Sequence, residues 1–174
     1  FAKLLGRDHQ LAGDVTRHPV DGMVPTSLWR PGQVWRDRYR VPVFEDALAP
    51  SLLRVEVGLY DPQAREDVGS VRVGEAKLAP PKAQAPPDHP LEVALSDGIA
   101  LLGYDLSSRS VVPGETITLT LHWQARAAPS ADYQVLVHLL GAGPEPVAQG
   151  DGPPLMGDYP TRVWAPGEVV IDPH

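Results

Sequence analysis

Two stretches of this chain are versions of one another. Residues 25–37 read PTSLWRPGQVWRD and residues 160–172 read PTRVWAPGEVVID, an offset of 135 residues. The match extends beyond them. Residues 1–6 (FAKLLG) line up with residues 136–141 (LVHLLG), residues 11–14 (LAGD) line up with 148–151 (AQGD) after a two-residue gap, and Pro19 and Gly22 match Pro154 and Gly157. Self-similarity at a fixed spacing is the mark of a repeat architecture. A repeat of this length makes residues 1–80 the C-terminal part of one copy and residues 96–174 the N-terminal part of the next, in cyclically shifted order. The segment between them, residues 81–95, is rich in Pro and Ala and reads as an extended, semi-rigid linker. On this reading the chain is a piece cut from a longer protein, and its two parts are expected either to pack as one permuted sandwich or to exchange strands with a second molecule through their open edges.

Proline sets the fold class. With 20 Pro and 16 Gly spread along 174 residues, long helices are excluded, because each interior Pro costs a helix roughly 3 kcal/mol. The same density suits short strands joined by tight turns. Residues 116–124 (TITLTLHWQ) alternate, with Ile117, Leu119, Leu121 and Trp123 on one face and Thr116, Thr118, Thr120 and His122 on the other, the period of a half-buried antiparallel strand. Pro113 and Gly114 before it fit the central positions of a turn. Residues 51–60 carry Leu53, Val55, Val57 and Leu59 inward, and Asp61-Pro62 closes the strand. Residues 133–140 are apolar on both faces and predict a central strand. Residues 33–43, 68–73 and 99–105 complete the set. Turns about every ten residues predict an all-β antiparallel sandwich, immunoglobulin-like or jelly-roll.

Several functions are excluded or disfavoured by residue type. The net charge of −7 leaves no basic face for a nucleic acid; Arg36, Arg38 and Arg40 alternate, but Asp37 and other acids offset them. Without Cys there is no disulfide, thiolate metal site or Cys nucleophile. No apolar run approaches the roughly 20 residues that span a bilayer. Neither a G-x-S-x-G elbow nor a phosphate loop occurs. His122 and His138 are too few for a zinc site. Asp14, Asp21, Asp151, Asp158 and Asp172 cluster near the repeated motif but match no calcium-loop pattern and read as turn chemistry. No metal, cofactor or catalytic residue is expected, and a glycan hydrolase built on two facing carboxylates is the least favoured alternative.

The repeated motif itself has a structural reading and a functional one. Trp29 and Trp164 can plug the end of a sandwich, with Thr26 and Thr161 bonded to nearby backbone. Alternatively, Trp29, Trp35 and Trp164, with Asp37 and Asp172, can form a carbohydrate-stacking surface. A binding surface requires at least one indole exposed beside polar side chains.

With PT-x-x-W-x-PG, VGLYDP (57–62), LLGYDL (101–106), LTLHWQA (119–125) and VHLLG (137–141) in view, the chain resembles the uncharacterised extracytoplasmic β-sandwich repeats appended to membrane glycosyltransferases of the mannosyltransferase-like class in Chloroflexi-type bacteria. The resemblance covers most of the chain and carries no known chemistry. It implies a non-catalytic structural or interaction module, extracytoplasmic and tethered to the membrane through the rest of its protein. Its expected partners are that membrane portion, a cell-surface glycan, or a second copy in a strand-exchanged homodimer.

Overall fold

The structure, a computed structural model, describes all residues from 1 to 174. It is all-β: ten antiparallel strands are joined by turns, and the helical elements are 3₁₀ turns of three or four residues. The chain divides into two compact units, Phe1–Leu48 with Leu53–Ala76, and Ala49–Leu52 with Lys77–His174.

The first unit is built on a four-stranded sheet in the order β2-β1-β3-β4, from β1 (Ala2–Leu5), β2 (Leu11–Val15), β3 (Ser51–Asp61) and β4 (Glu66–Leu78). β1 lies between β2 and β3, with Lys3 opposite Asp14 on one side and Glu56 on the other. Phe1 anchors this unit. Its backbone nitrogen donates to the Gly58 carbonyl at 2.8 Å, and its ring lies so close over Gly58 that a Cβ there would stand 2.5 Å from it. The turn expected after β3 forms because the Asp61 carboxylate accepts the backbone N–H groups of Gln63 and Ala64, at 2.8 and 3.1 Å.

The second unit holds a four-stranded sheet in the order β10-β7-β6-β5, from β5 (His89–Ala94), β6 (Ile99–Leu106), β7 (Leu119–Ala125) and β10 (Val169–Pro173), and a two-stranded ribbon of β8 (His138–Leu140) and β9 (Pro146–Gln149). The alternation read in residues 116–124 places Leu121 and Trp123 in a core with Ile99, Ala125 and Val170. Leu155, Tyr159 and Trp164 close that core from the other side, with Val135 and Val137 packed against it. The preceding turn is as expected: Glu115 N–H reaches the Val112 carbonyl at 3.1 Å, with Gly114 at φ 97° where only glycine is unstrained.

Three expectations need correction. The C-terminal part of residues 81–95, expected within an extended, semi-rigid linker, is strand: β5 pairs there with β6. Upstream, Gln84 donates to the Val169 carbonyl at 2.8 Å and Asp88 N–H to the Asp105 carboxylate at 2.7 Å. A polyproline-like segment makes no internal hydrogen bonds, so its polar groups are available to a sheet beside it. Residues 133–140 are not a central strand. They pair along one side only, β8 with β9 and Val135 with Gly152, and Leu136 is exposed. Residues 33–43 form no strand.

Candidate binding surface

The two copies of the repeated motif follow one backbone path. Val20 and Leu155 both sit in the left-handed region, at φ/ψ 52°/40° and 51°/40°, and so do Asp21 and Met156 after them. A left-handed valine is a rare, strained conformation. Both copies hold it with the same restraint: an aspartate seventeen residues downstream accepts the N–H of the strained residue, Asp37 from Val20 at 2.9 Å and Asp172 from Leu155 at 2.7 Å. Each path continues through a 3₁₀ turn, Thr26–Leu28 or Thr161–Val163. Each tryptophan then bends back so that its indole N–H meets the carbonyl five residues earlier, Trp29 to Val24 at 3.2 Å and Trp164 to Tyr159 at 3.0 Å. The Pro-Gly turns also agree. Gly32 and Gly167 lie at φ 84° and 88°, and in both a downstream side chain, Gln33 or Glu168, accepts the N–H three residues before it at 2.9 Å.

The ladders show that the spacing is uniform. Lys3 pairs with Asp14 and His138 with Gln149; Leu5 pairs with Leu11 and Leu140 with Pro146, each ladder with an irregularity at the same step. The offset of 135 therefore runs through both strands, and the two-residue gap in the sequence alignment is not present. It arose from matching Gly-Asp pairs, whereas Asp14 is equivalent to Gln149.

Surroundings separate the two corners. Trp164 is 2% exposed and Asp172 is fully buried. Besides Leu155 N–H, the Asp172 carboxylate accepts the indole N–H of Trp123 on β7 at 3.1 Å and meets His174 Nε2 at 2.8 Å. These two candidates present no surface to a ligand; the apolar sheet of the second unit covers them. In the first unit Trp29 and Trp35 are 38% and 39% exposed, their rings stacked with centroids 6.5 Å apart. Asp37 bonds Arg17 at 2.7 Å, and Arg17 also pairs with Asp21 and lies over the Tyr39 ring at 4.5 Å. Backbone N–H donation from Val20 is the main influence holding the Asp37 carboxyl below its usual value, with Arg17 adding to it against a desolvation penalty. Of the five candidate residues, Trp29, Trp35 and Asp37 thus lie on the uncovered corner, and Trp164 and Asp172 are core.

Other polar groupings have structural partners. Burial works to raise the Glu168 carboxyl, but Lys77 at 2.7 Å, Ala165 N–H and Tyr159 O–H outweigh it and hold it low; burial and that carboxylate push the Tyr159 phenol far up. Buried His122 bonds Asp105 at 2.7 Å. His138 meets Asp151 at 3.2 Å. No three His, Asp or Glu side chains converge as a metal site. A largely apolar groove of about 340 Å³ opens in the second unit between Leu101, Leu119 and Leu121 on one side and Val135 and Val137 on the other. Sequence reasoning overlooked the Trp123–Asp172 contact and the Arg17–Tyr39 pair. The identity of Asp37 and Asp172 at the end of the shared motif was the signal for their shared backbone role.

Against family models, curated proteins and solved structures, the chain finds no match.

Proposed function

We propose that this chain is a stretch of a tandem array of β-sandwich repeats, serving as a non-catalytic structural and interaction module outside the cytoplasm, accessory to a membrane glycosyltransferase. The observation that carries the repeat reading is the shared path of residues 19–37 and 154–172, down to a strained residue held by an equivalent aspartate. In this reading β8 and β9 are the second copy's counterparts of β1 and β2. A whole repeat then has one sheet ordered β10-β7-β6-β5 and another ordered like β2-β1-β3-β4, and this chain holds the second sheet from one copy and the first from the next. The accessory and extracytoplasmic parts rest on the sequence resemblance. The test is protease accessibility of the full gene product in intact cells and spheroplasts. Cleavage within the repeats from outside is expected, and protection until lysis overturns the assignment.

A second reading has its own observation. Two stacked, half-exposed indoles beside Arg17 and Asp37 meet the requirement for a pyranose-stacking surface. Calorimetry with bacterial surface polysaccharides tests it: binding abolished in Trp29→Ala and Trp35→Ala supports a carbohydrate-binding module, and no heat with any of them sinks it.

A further inference from the structure

Each apolar side chain that the second corner buries has a counterpart on the first. Leu155, Tyr159, Trp164 and Val170 are all buried, whereas their counterparts Val20 and Val24 are only part-buried and Trp29 and Trp35 are exposed, with Val34 beside them 93% exposed. The difference is what lies on top. In the second unit β7 pairs with β10 along residues 169–173, opposite residues 120–124, and Trp123 inserts so that its indole N–H reaches Asp172. Residues 34–38, the counterparts of β10, have a similar residue pattern and no strand partner.

We propose that the Trp29–Trp35 face is a docking surface for a β-hairpin of the β6–β7 type, supplied by the early half of another repeat. This rests on the repeat reading above. The occupant's chemistry follows from the covered corner. One strand, patterned like residues 119–125, pairs antiparallel with residues 34–38. Its alternate apolar side chains cover Trp29, and a tryptophan at the place of Trp123 donates its indole N–H to Asp37. The Asp37 carboxylate is already oriented for this by Val20 N–H at 2.9 Å, as Asp172 is by Leu155. A second copy of this chain is a poor occupant, because its β7 is already paired on both edges, to β6 and to β10.

Because residue 136 is the counterpart of Phe1, a duplicate of residues 96–135 can be joined directly ahead of Phe1 in the intact chain. In 5-fluorotryptophan-labelled protein, the ¹⁹F resonances of Trp29 and Trp35 are expected to shift and to lose their solvent isotope effect, and residues 34–38 to gain amide protection. Asp37→Ala in the fusion is expected to reverse these changes. A peptide of residues 97–127 added to the unfused chain is the second arm, expected to shift the same two resonances. If the fusion is folded and both arms leave Trp29 and Trp35 exposed, the docking inference fails while the repeat reading stands. If residues 19–37 of the fusion take a path unlike 154–172, both fall. Concentration-dependent dimerisation of the unfused chain that buries the same two indoles overturns the proposal in favour of self-association.

Discussion

Residues 19–37 and residues 154–172 trace the same turns, yet the first stretch is surface and the second is core. The turns are local: a left-handed pair of residues, a Pro-Gly bend and an aspartate bonded to a backbone N–H within the same stretch. They form in both places because each contact closes over a short sequence distance. Burial is not local. It depends on a partner strand: residues 169–173 pair with β7, whereas residues 34–38 are in no strand. The pair therefore separates what a repeat segment holds on its own from what it acquires by packing.

The sharpest way to break this comparison is a matched pair of truncations. Trp164→Ala removes a buried indole and should destabilise the second unit by about 3–5 kcal/mol in urea unfolding. Trp29→Ala should fall within roughly 0.5–1 kcal/mol, as for a partly exposed side chain. Equal losses would mean that the two corners are packed alike. Next in size, Asp172→Ala strands the buried Leu155 N–H and Trp123 indole, each at a cost of about 1–3 kcal/mol. Asp37→Ala should cost clearly less, since solvent reaches the groups it leaves.

A smaller effect is expected at the contact that distinguishes the second corner. Tyr159 is equivalent to Val24, so its hydroxyl has no counterpart in the first unit, and Tyr159→Phe should lose about 1 kcal/mol with the hydrogen bond to Glu168. The smallest effect concerns acid. Asp97 accepts Ser130 N–H, the Ser130 hydroxyl and the Tyr133 hydroxyl, and these bonds, led by the backbone one, lower its pKa from 3.8. A depressed folded value means that the contribution is fully present above pH 3.8 and is lost as pH falls through the lower folded value. Asp97→Asn should flatten the decline in thermal midpoint below pH 4 relative to the parent chain; an unchanged acid limb would show that other carboxylates carry it.

Much of the fold was legible. β7 buries Leu121 and Trp123 and β3 buries Leu53 as their alternation predicts, although His122 is also buried and Leu59 is exposed, and the Pro113-Gly114 and Asp61-Pro62 turns are written in residues with one dominant geometry. The errors share a cause. Residues 33–43 have the alternation of a strand but form no ladder, meeting β2 only where Pro42 lies against Gly13 and the adjoining Phe44 N–H bonds the Ala12 carbonyl, whereas residues 169–173 pair with β7. Residues 133–140 are apolar enough for a central strand, but only Val135 and Val137 pack against the core, while Leu136 and Leu139 lack the cover that their counterparts Phe1 and Leu4 have in the first unit. The Pro/Ala-rich segment reads as a linker by composition, yet its end forms β5, because β6 offers it a free edge. Among the candidate site residues, the sequence identified both corners. It could not rank Trp29 and Trp35 above Trp164, since identical motifs carry no information about what covers them.

Residue order alone determined the absence of helix, the turn positions, the repeat spacing and the restraint of each corner by its own aspartate, because proline geometry, glycine φ and short-range hydrogen bonds act within a few to some twenty residues. Tertiary structure decided which corner is buried, which apolar stretch becomes a strand and which tryptophans meet solvent. A strand exists only when a second strand satisfies its backbone, and a side chain is core only when another surface excludes water from it.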